Sequence, residues 1–367
     1  MKIVYWAENV WPDIGGVETF SQQLIGALQA RGHSFTVISS GRMSDGTPDL
    51  SSGVPVWRYP FAVTADRRDL RAMLIIGSQI NALLQALQPD LIHLNTTGPS
   101  ALYYLRSEAA MQTPTLLTLH MPLTTVDRPG NMIARVLQGV SHVVGVSQAS
   151  LRAALDAVPV LAGRSSLILN ALEPPPVPPA PFPEGPPVIL CVGRFTEQKG
   201  FDVALDAFAL VLQQCPAAKM VFAGDGDLRD TLERQSIELG LKDHVRFVGR
   251  QSHAEVYRLL NKSIMLVAPS RYEPFGLVAL EAAQMGRPVV ASRVDGLAEI
   301  VAHGETGLLI EPESTEQLAE AILALLNHPT TRVELGRRAR QRAEAMFSFH
   351  SFLDSYEDLY HQVCCSA

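Results

Sequence analysis

Short, unbroken apolar runs recur along this chain, each followed by a polar or glycine-bearing loop and then by a stretch with helical spacing. Runs at 2–7, 35–39, 54–59, 90–94, 115–119, 143–147 and 167–170 read as strands in the first half. Runs at 188–192, 220–224, 245–249, 264–268, 288–292 and 307–310 continue the pattern in the second. A strand that is apolar throughout, rather than at alternate positions, is buried on both faces, as in a parallel sheet covered by helices. Strand, helix and strand in repeated succession predict βαβ units and an α/β fold.

The alternation breaks once. Residues 173–187 hold nine prolines in fifteen positions, which excludes helix and central strand and reads as a semi-rigid linker. The expected organisation is therefore a first α/β domain over 1–170, a linker over 171–187 and a second α/β domain over 188–348. A final helix, 349–367, carries Phe352, Tyr356 and Tyr360 on one stripe.

A chain of 367 residues with 47% hydrophobic and 18% charged residues has enough apolar surface for two cores and is not disordered. Its net charge of −7 is uneven: 12 Lys+Arg against 11 Asp+Glu in 1–170, and 18 against 26 beyond. That balance argues against nucleic acid as a partner. Arg67, Arg68 and Arg71 stand beside Asp66 and Asp69, a mixture that reads as a solvated helix start rather than a membrane patch. The near-neutral first half still leaves room for peripheral contact with a membrane. The four cysteines lack metal-ligand spacing and fit a reducing compartment. The N-terminus has no signal-peptide core, and no run of eighteen apolar residues is present. The expected location is cytoplasmic, with room for contact at the inner membrane face.

Candidate chemistry lies where strands end, the edge of an open α/β sheet at which ligands bind. The apolar run 264–268 leads to Glu273-Pro274-Phe275-Gly276-Leu277 and then to Glu281 on a short helix. Pro274 keeps Glu273 off the helix, and the free N–H groups of the first helical turn favour an anion or a sugar oxygen. The two carboxylates suit opposite ends of one extended ligand better than a paired acid and base on one glycosidic bond. Arg194 and Lys199 follow the strand 188–192, and are either surface cations or a diphosphate clamp whose loss lowers turnover without disturbing the fold. Gly15-Gly16 follow the first strand, where a plain helix entry and a phosphate-approach loop are both open. His120 ends the strand 115–119 and is either a structural histidine or a ligand contact. Asp225-Gly226-Asp227 reads as a strand-to-helix turn rather than a metal motif.

The segment from Glu273 to Glu281, with Pro-Phe-Gly-Leu inside it, resembles the Glu-x7-Glu motif of family 4 retaining glycosyltransferases. The resemblance implies the GT-B fold: two Rossmann-like domains facing a central cleft, with the last helix crossing back to the first domain. It also implies transfer of a hexosyl group from a nucleoside-diphosphate sugar to a hydroxyl of a glycan, lipid or small molecule. A UDP-sugar is favoured over GDP-mannose, and neither a metal nor another cofactor is expected. Under the resemblance Arg194 and Lys199 hold the diphosphate and Glu281 the ribose, while Glu273 and the N–H groups near Phe275, Gly276 and Leu277 hold the sugar. The base packs near Gly249 and Arg250, Gly15 and Gly16 approach the diphosphate and acceptor, and His120 contacts the donor sugar. Met121-Pro122 stands where the family often has Asp after this histidine, and Leu297 where it usually has a second glycine. The rivals are an epimerase or hydrolase of the same fold and a sugar-nucleotide sensor without chemistry.

Overall fold

The computed structural model describes residues 1–13, 15–43, 46–121 and 131–365, with Asp295 described by its backbone alone. Pro122 lies outside the described residues. The chain divides into two compact units, Met1–Asn170 with His350–Ala367, and Ala171–Phe349.

The first unit is built on seven parallel strands: β1 (Lys2–Ala7), β2 (Ser34–Ser40), β3 (Val56–Tyr59), β4 (Leu91–Asn95), β5 (Thr115–Leu119), β6 (His142–Gly145) and β7 (Ser165–Leu167). Their order is β3-β2-β1-β4-β5-β6-β7. β1, β4 and β5 are buried along all or nearly all of their length, which is why each reads as a continuous apolar run. β7 begins two residues earlier than the expected 167–170. It is a half-buried edge strand whose pairing with β6 runs through Ser165 and Ser166, so its polar residues hide it from a hydrophobicity reading.

The helix Phe349–Cys365 belongs to this unit from His350 onward and buries the predicted stripe of Phe352, Tyr356 and Tyr360. The Tyr360 hydroxyl meets His93 Nδ1 at 2.6 Å, and Thr118 Oγ1 lies 2.8 Å from His93 Nε2 and 3.2 Å from the Tyr356 hydroxyl. Burial pushes the His93 pKa down to about 3, so the ring is neutral and donates through one nitrogen only. At the rim, Arg31 pairs with Asp354 and Glu357, both at 2.7 Å.

The second unit holds β8 (Val188–Val192), β9 (Lys219–Ala223), β10 (Val245–Gly249), β11 (Met265–Ala268), β12 (Val289–Ser292) and β13 (Gly307–Ile310), all parallel. Their order is β10-β9-β8-β11-β12-β13. The proline-rich segment, expected as a linker, is fastened to this unit. Arg287, 2% exposed, donates from Nε to the Leu260 carbonyl and from Nη2 to the Ala180 and Pro181 carbonyls, and its guanidinium lies 4.4 Å from the centre of the Phe182 ring. The Asn261 side chain donates to the Pro178 carbonyl and accepts from the Ala180 N–H. A run of prolines makes no hydrogen bonds of its own, so its carbonyls are free for such donors.

In each sheet the strand order reverses once, between β1 and β4 in the first and between β8 and β11 in the second. Crevices at such switch points, outside the strands' carboxyl ends, are the usual ligand sites of open α/β sheets.

Candidate functional site

At the switch point of the second unit, the loop after β8 and the loop after β11 are locked together. Gly200 has φ 63°, and a Cβ there would lie 2.1 Å from the Pro269 carbonyl oxygen, so only glycine allows the two loops to touch. The Arg271 N–H donates to the Gln198 carbonyl at 2.8 Å, and the Arg271 side chain donates to the Glu197 carbonyl and to both carboxylate oxygens of Asp202. Lys199 is thereby set over Glu273, with Nζ 2.5 Å from Oε2, and Ser270 Oγ donates to the same oxygen at 3.3 Å. The two side chains are only 17% and 10% exposed, which makes this a largely desolvated pair. Arg194, on the same loop, is exposed, and its side chain has no ion pair or hydrogen-bond partner among the described residues. The two cations that look alike in the sequence differ: one is spent on a carboxylate and the other is free for an incoming anion.

The loop at 273–276 is held from its other side as well. Gly276 has φ 97° and precedes the helix Leu277–Gln284. Gly296 donates its N–H to the Glu273 carbonyl at 3.0 Å, and a Cβ on it would come within 2.2 Å of Phe275 Cα. Leu297, where the family usually has glycine, packs against Gly276, whose Cβ would meet its Cδ2 at 2.8 Å. Gly276 thus answers both to its positive φ and to Leu297.

Glu281, on the helix, is nearly buried and is met by His253 Nδ1 at 3.1 Å. The carboxylate raises the His253 pKa above 6.5, against the opposing effect of burial. Ser252 caps the helix His253–Asn261 and so fixes where His253 starts. Gly249, φ 72°, ends β10, and Arg250 follows it, exposed. Asp225 and Asp227 lie on a turn before the helix Arg229–Glu238: Asp225 accepts the Gly226 N–H and pairs with Arg229 at 3.6 Å. Among the described residues no three His, Cys, Asp or Glu side chains stand together as a metal site.

At the switch point of the first unit, Gly15 caps the helix Gly16–Ala30 in extended conformation. The Glu18 carboxylate curls back over Gly15, 2.3 Å from where a Cβ would be. His120, just past β5, is half-buried. Its Nε2 donates to Asn95 Oδ1 at 2.6 Å, and its ring stands edge-on to Phe20 at 4.6 Å. Asn95 in turn donates to Ser21 Oγ at 3.3 Å, and Ser21 Oγ meets the Tyr5 hydroxyl at 2.8 Å and donates to the Val17 carbonyl. Burial holds the imidazole well below its usual pKa, so it is neutral, with the Nδ1 lone pair left as acceptor. Met121 is exposed and takes no part in orienting the ring.

Sequence reasoning missed three of these residues. Asn95 carried a faint signal, a polar residue closing an apolar strand next to the strand of His120. His253 carried none that pointed to Glu281, because their pairing depends on which helices become neighbours. Ser270 was visible only as the end of a strand.

Two family models match the chain in tandem: "Glycosyltransferase Family 4" over residues 14–174 and "Glycosyl transferases group 1" over residues 178–342. Glycogen synthase of Mycobacterium tuberculosis is 36% identical over 176 residues, 48% of this chain and 42% of that protein. The alpha-D-kanosaminyltransferase of Streptomyces kanamyceticus is 32% identical over 177 residues, 48% of this chain and 46% of that protein. The matched part spans less than half the length of these curated relatives. Among solved structures, sucrose-phosphate synthase from Thermosynechococcus elongatus superposes over the whole of both chains, with TM-score 0.83 and 24% identity. Anabaena HepE in complex with UDP-glucose covers 99% of this chain and all of its own, with TM-score 0.78 and 20% identity. The fold is that of the GT-B glycosyltransferases.

Proposed function

We propose that this chain, which belongs to the family 4 glycosyltransferases, moves a hexosyl group from a nucleoside-diphosphate sugar to a hydroxyl acceptor, with retention and without a metal. The observation that carries the reading is the loop pair after β8 and β11: Lys199 held on Glu273 beside a free Arg194, next to the N-terminus of the helix Leu277–Gln284.

Departure of the sugar leaves growing negative charge on the diphosphate. Lys199, held on Glu273, and the unpaired Arg194 are assigned to that charge, and the N–H groups at 275–277 offer donors that need no reorganisation. Glu281 is assigned to the ribose hydroxyls, Glu273 to the sugar, and Gly249 with Arg250 to the base. In the first unit, His120 is assigned to the donor sugar as a neutral hydrogen-bonding group, and Gly15 and Gly16 to the diphosphate and acceptor. No side chain stands out as a covalent nucleophile, which favours front-face attack with a phosphate oxygen taking the acceptor's proton. UDP is the favoured nucleotide, in keeping with the fold neighbour that carries UDP-glucose.

A thermal-shift panel of UDP, GDP and ADP and their sugars tests the donor, since a ligand at a hundred times its Kd adds roughly 2.7 kcal/mol. Donor turnover with no acceptor present would favour an epimerase or hydrolase. Loss of activity in a chelator, restored by magnesium or manganese, would overturn metal independence.

A further inference from the structure

Two helices of the second unit meet through two rungs of polar side chains. The helix His253–Asn261 follows β10 at the edge of the sheet and leads to β11 beside β8, a crossing that lays it against the helix Leu277–Gln284. His253 and Tyr257 stand one turn apart on the first helix, and Glu281 and Gln284 one turn apart on the second. In one rung His253 Nδ1 lies 3.1 Å from Glu281 Oε1; in the other the Tyr257 hydroxyl donates to Gln284 Oε1 at 2.7 Å. The Tyr257 ring stands edge-on to the imidazole with 4.8 Å between centres.

The rungs are unequal. Tyr257 is fully buried, and Gln284 donates onward to the Leu172 and Glu173 carbonyls, so this rung ties both helices to the segment by which the chain enters the unit. It serves the fold without help from its neighbour. The His253 rung is the one nearer the ligand edge of the sheet. His253 opens its helix just past the carboxyl end of β10, and Glu281 lies about 6 Å along its own helix from the end that follows β11. Among the described residues the Glu281 carboxylate has no other hydrogen bond or ion pair, and its side chain is only 12% exposed. One oxygen is therefore occupied by His253, and the other, Oε2, is left for a ligand.

We propose that His253 is a positioning residue for nucleotide recognition: it holds one oxygen of Glu281 so that the other meets a ribose hydroxyl, and so makes the site select ribonucleoside over deoxyribonucleoside diphosphates. The proposal rests on the assignment of Glu281 to the ribose. A glutamate loses rotamer freedom when it is ordered, and here His253 orders it before the ligand arrives. The hydrogen bond to Glu281, with a smaller contribution from the Glu173 carboxylate, raises the imidazole pKa above 6.5, so Nδ1 keeps the proton it donates. The partnered Glu281 stays ionised and only accepts, which suits a hydroxyl donor. A nucleotide lacking that hydroxyl leaves Oε2 desolvated and unpaired.

The test is isothermal titration of the full chain with UDP, 2′-deoxy-UDP and 3′-deoxy-UDP, or with the matching GDP or ADP trio if the thermal panel selects that base. The wild type should bind at least one deoxy form about 10- to 150-fold more weakly than the ribose form, the range for a hydrogen bond to a charged group. Glu281→Gln should shrink that ratio. His253→Ala and His253→Leu should each weaken the ribose form about 3- to 10-fold, the cost of ordering Glu281 on binding, and leave the deoxy form within about twofold. His253→Asn, whose amide nitrogen falls where Nδ1 stands, should restore the wild-type ratio. A purely structural role would weaken every nucleotide alike, and Asn would not rescue selectively. If the wild type does not distinguish the three nucleotides and Glu281→Gln changes nothing, the ribose assignment falls and the proposal with it. If Glu281→Gln collapses the ratio while the folded alanine or leucine variant keeps it, or binds the ribose form more tightly, the assignment stands and the positioning role of His253 is refuted.

Discussion

Lys199 and Arg194 are interchangeable in the sequence reading, and the structure makes them unequal. Replacing Lys199 by Met removes the cation 2.5 Å from a Glu273 carboxylate that is 10% exposed and keeps only the Ser270 hydroxyl. Removing one partner of a buried pair costs about 3–5 kcal/mol, and the partial exposure of this pair lowers the expected loss to about 2–4 kcal/mol. Arg194→Ala removes an exposed side chain with no partner among the described residues, so its stability cost should stay within about 0.5 kcal/mol. Both variants should lose about 100- to 1000-fold in kcat as preorganised charge disappears. The double variant Lys199→Met with Glu273→Gln leaves no stranded charge and should recover about half or more of the stability lost by Lys199→Met alone. Guanidinium unfolding of the four proteins, beside kcat on a donor the wild type turns over, measures all of this. If Lys199→Met proves as stable as Arg194→Ala, or if the double variant is the least stable of the set, the pair does not hold the two loops together.

Asn95→Ala removes the acceptor of the His120 Nε2–H and should slow transfer about 10-fold or more, with nucleotide affinity unchanged, while Asn95→Asp should raise the imidazole pKa; imidazole nitrogen shifts in NMR and a kcat–pH profile check both. His253 has a raised folded pKa, so its pairing with Glu281 contributes stability that is full below 6.5 and is lost as pH rises through the folded value; His253→Gln should flatten that slope in melting temperature between about pH 6 and 8. His93 is held at about 3, so its charging is resisted in the folded state, and stability of the first unit should fall as pH drops below about 6.5; His93→Gln should reduce that fall in a pH series of denaturant midpoints. Arg287→Met should destabilise the second unit by about 3 kcal/mol or more, measured by unfolding, because several backbone carbonyls lose a charged donor in a buried place.

The parallel sheets were legible because strands covered on both faces have no polar face to dilute the signal, and because glycine punctuates their carboxyl ends. The motif from Glu273 to Glu281 was legible because Pro274 and Gly276 dictate a loop and then a helix locally. What could not be read is whatever depends on elements meeting. Lys199 and Glu273 pair because β8 and β11 are neighbours while β9 and β10 lie on the other side. His253 reaches Glu281 from one helix to another, and Leu297 closes over Gly276 from the short helix Asp295–Ile300.

The anchoring of residues 178–182 by Arg287 and Asn261 bears on how this stretch can change over generations. Both side chains grip backbone atoms, and every amino acid supplies a carbonyl, so mutations at 178–181 can alter the lettering without loosening the grip, save proline at 180, which would remove the N–H that Asn261 accepts. Only Phe182 is recognised by its side chain, through the ring under the guanidinium. The segment should therefore drift freely in composition among relatives while Arg287, Asn261 and an aromatic ring at 182 persist as a set, and a homologue that has lost Arg287 should have lost the ring as well.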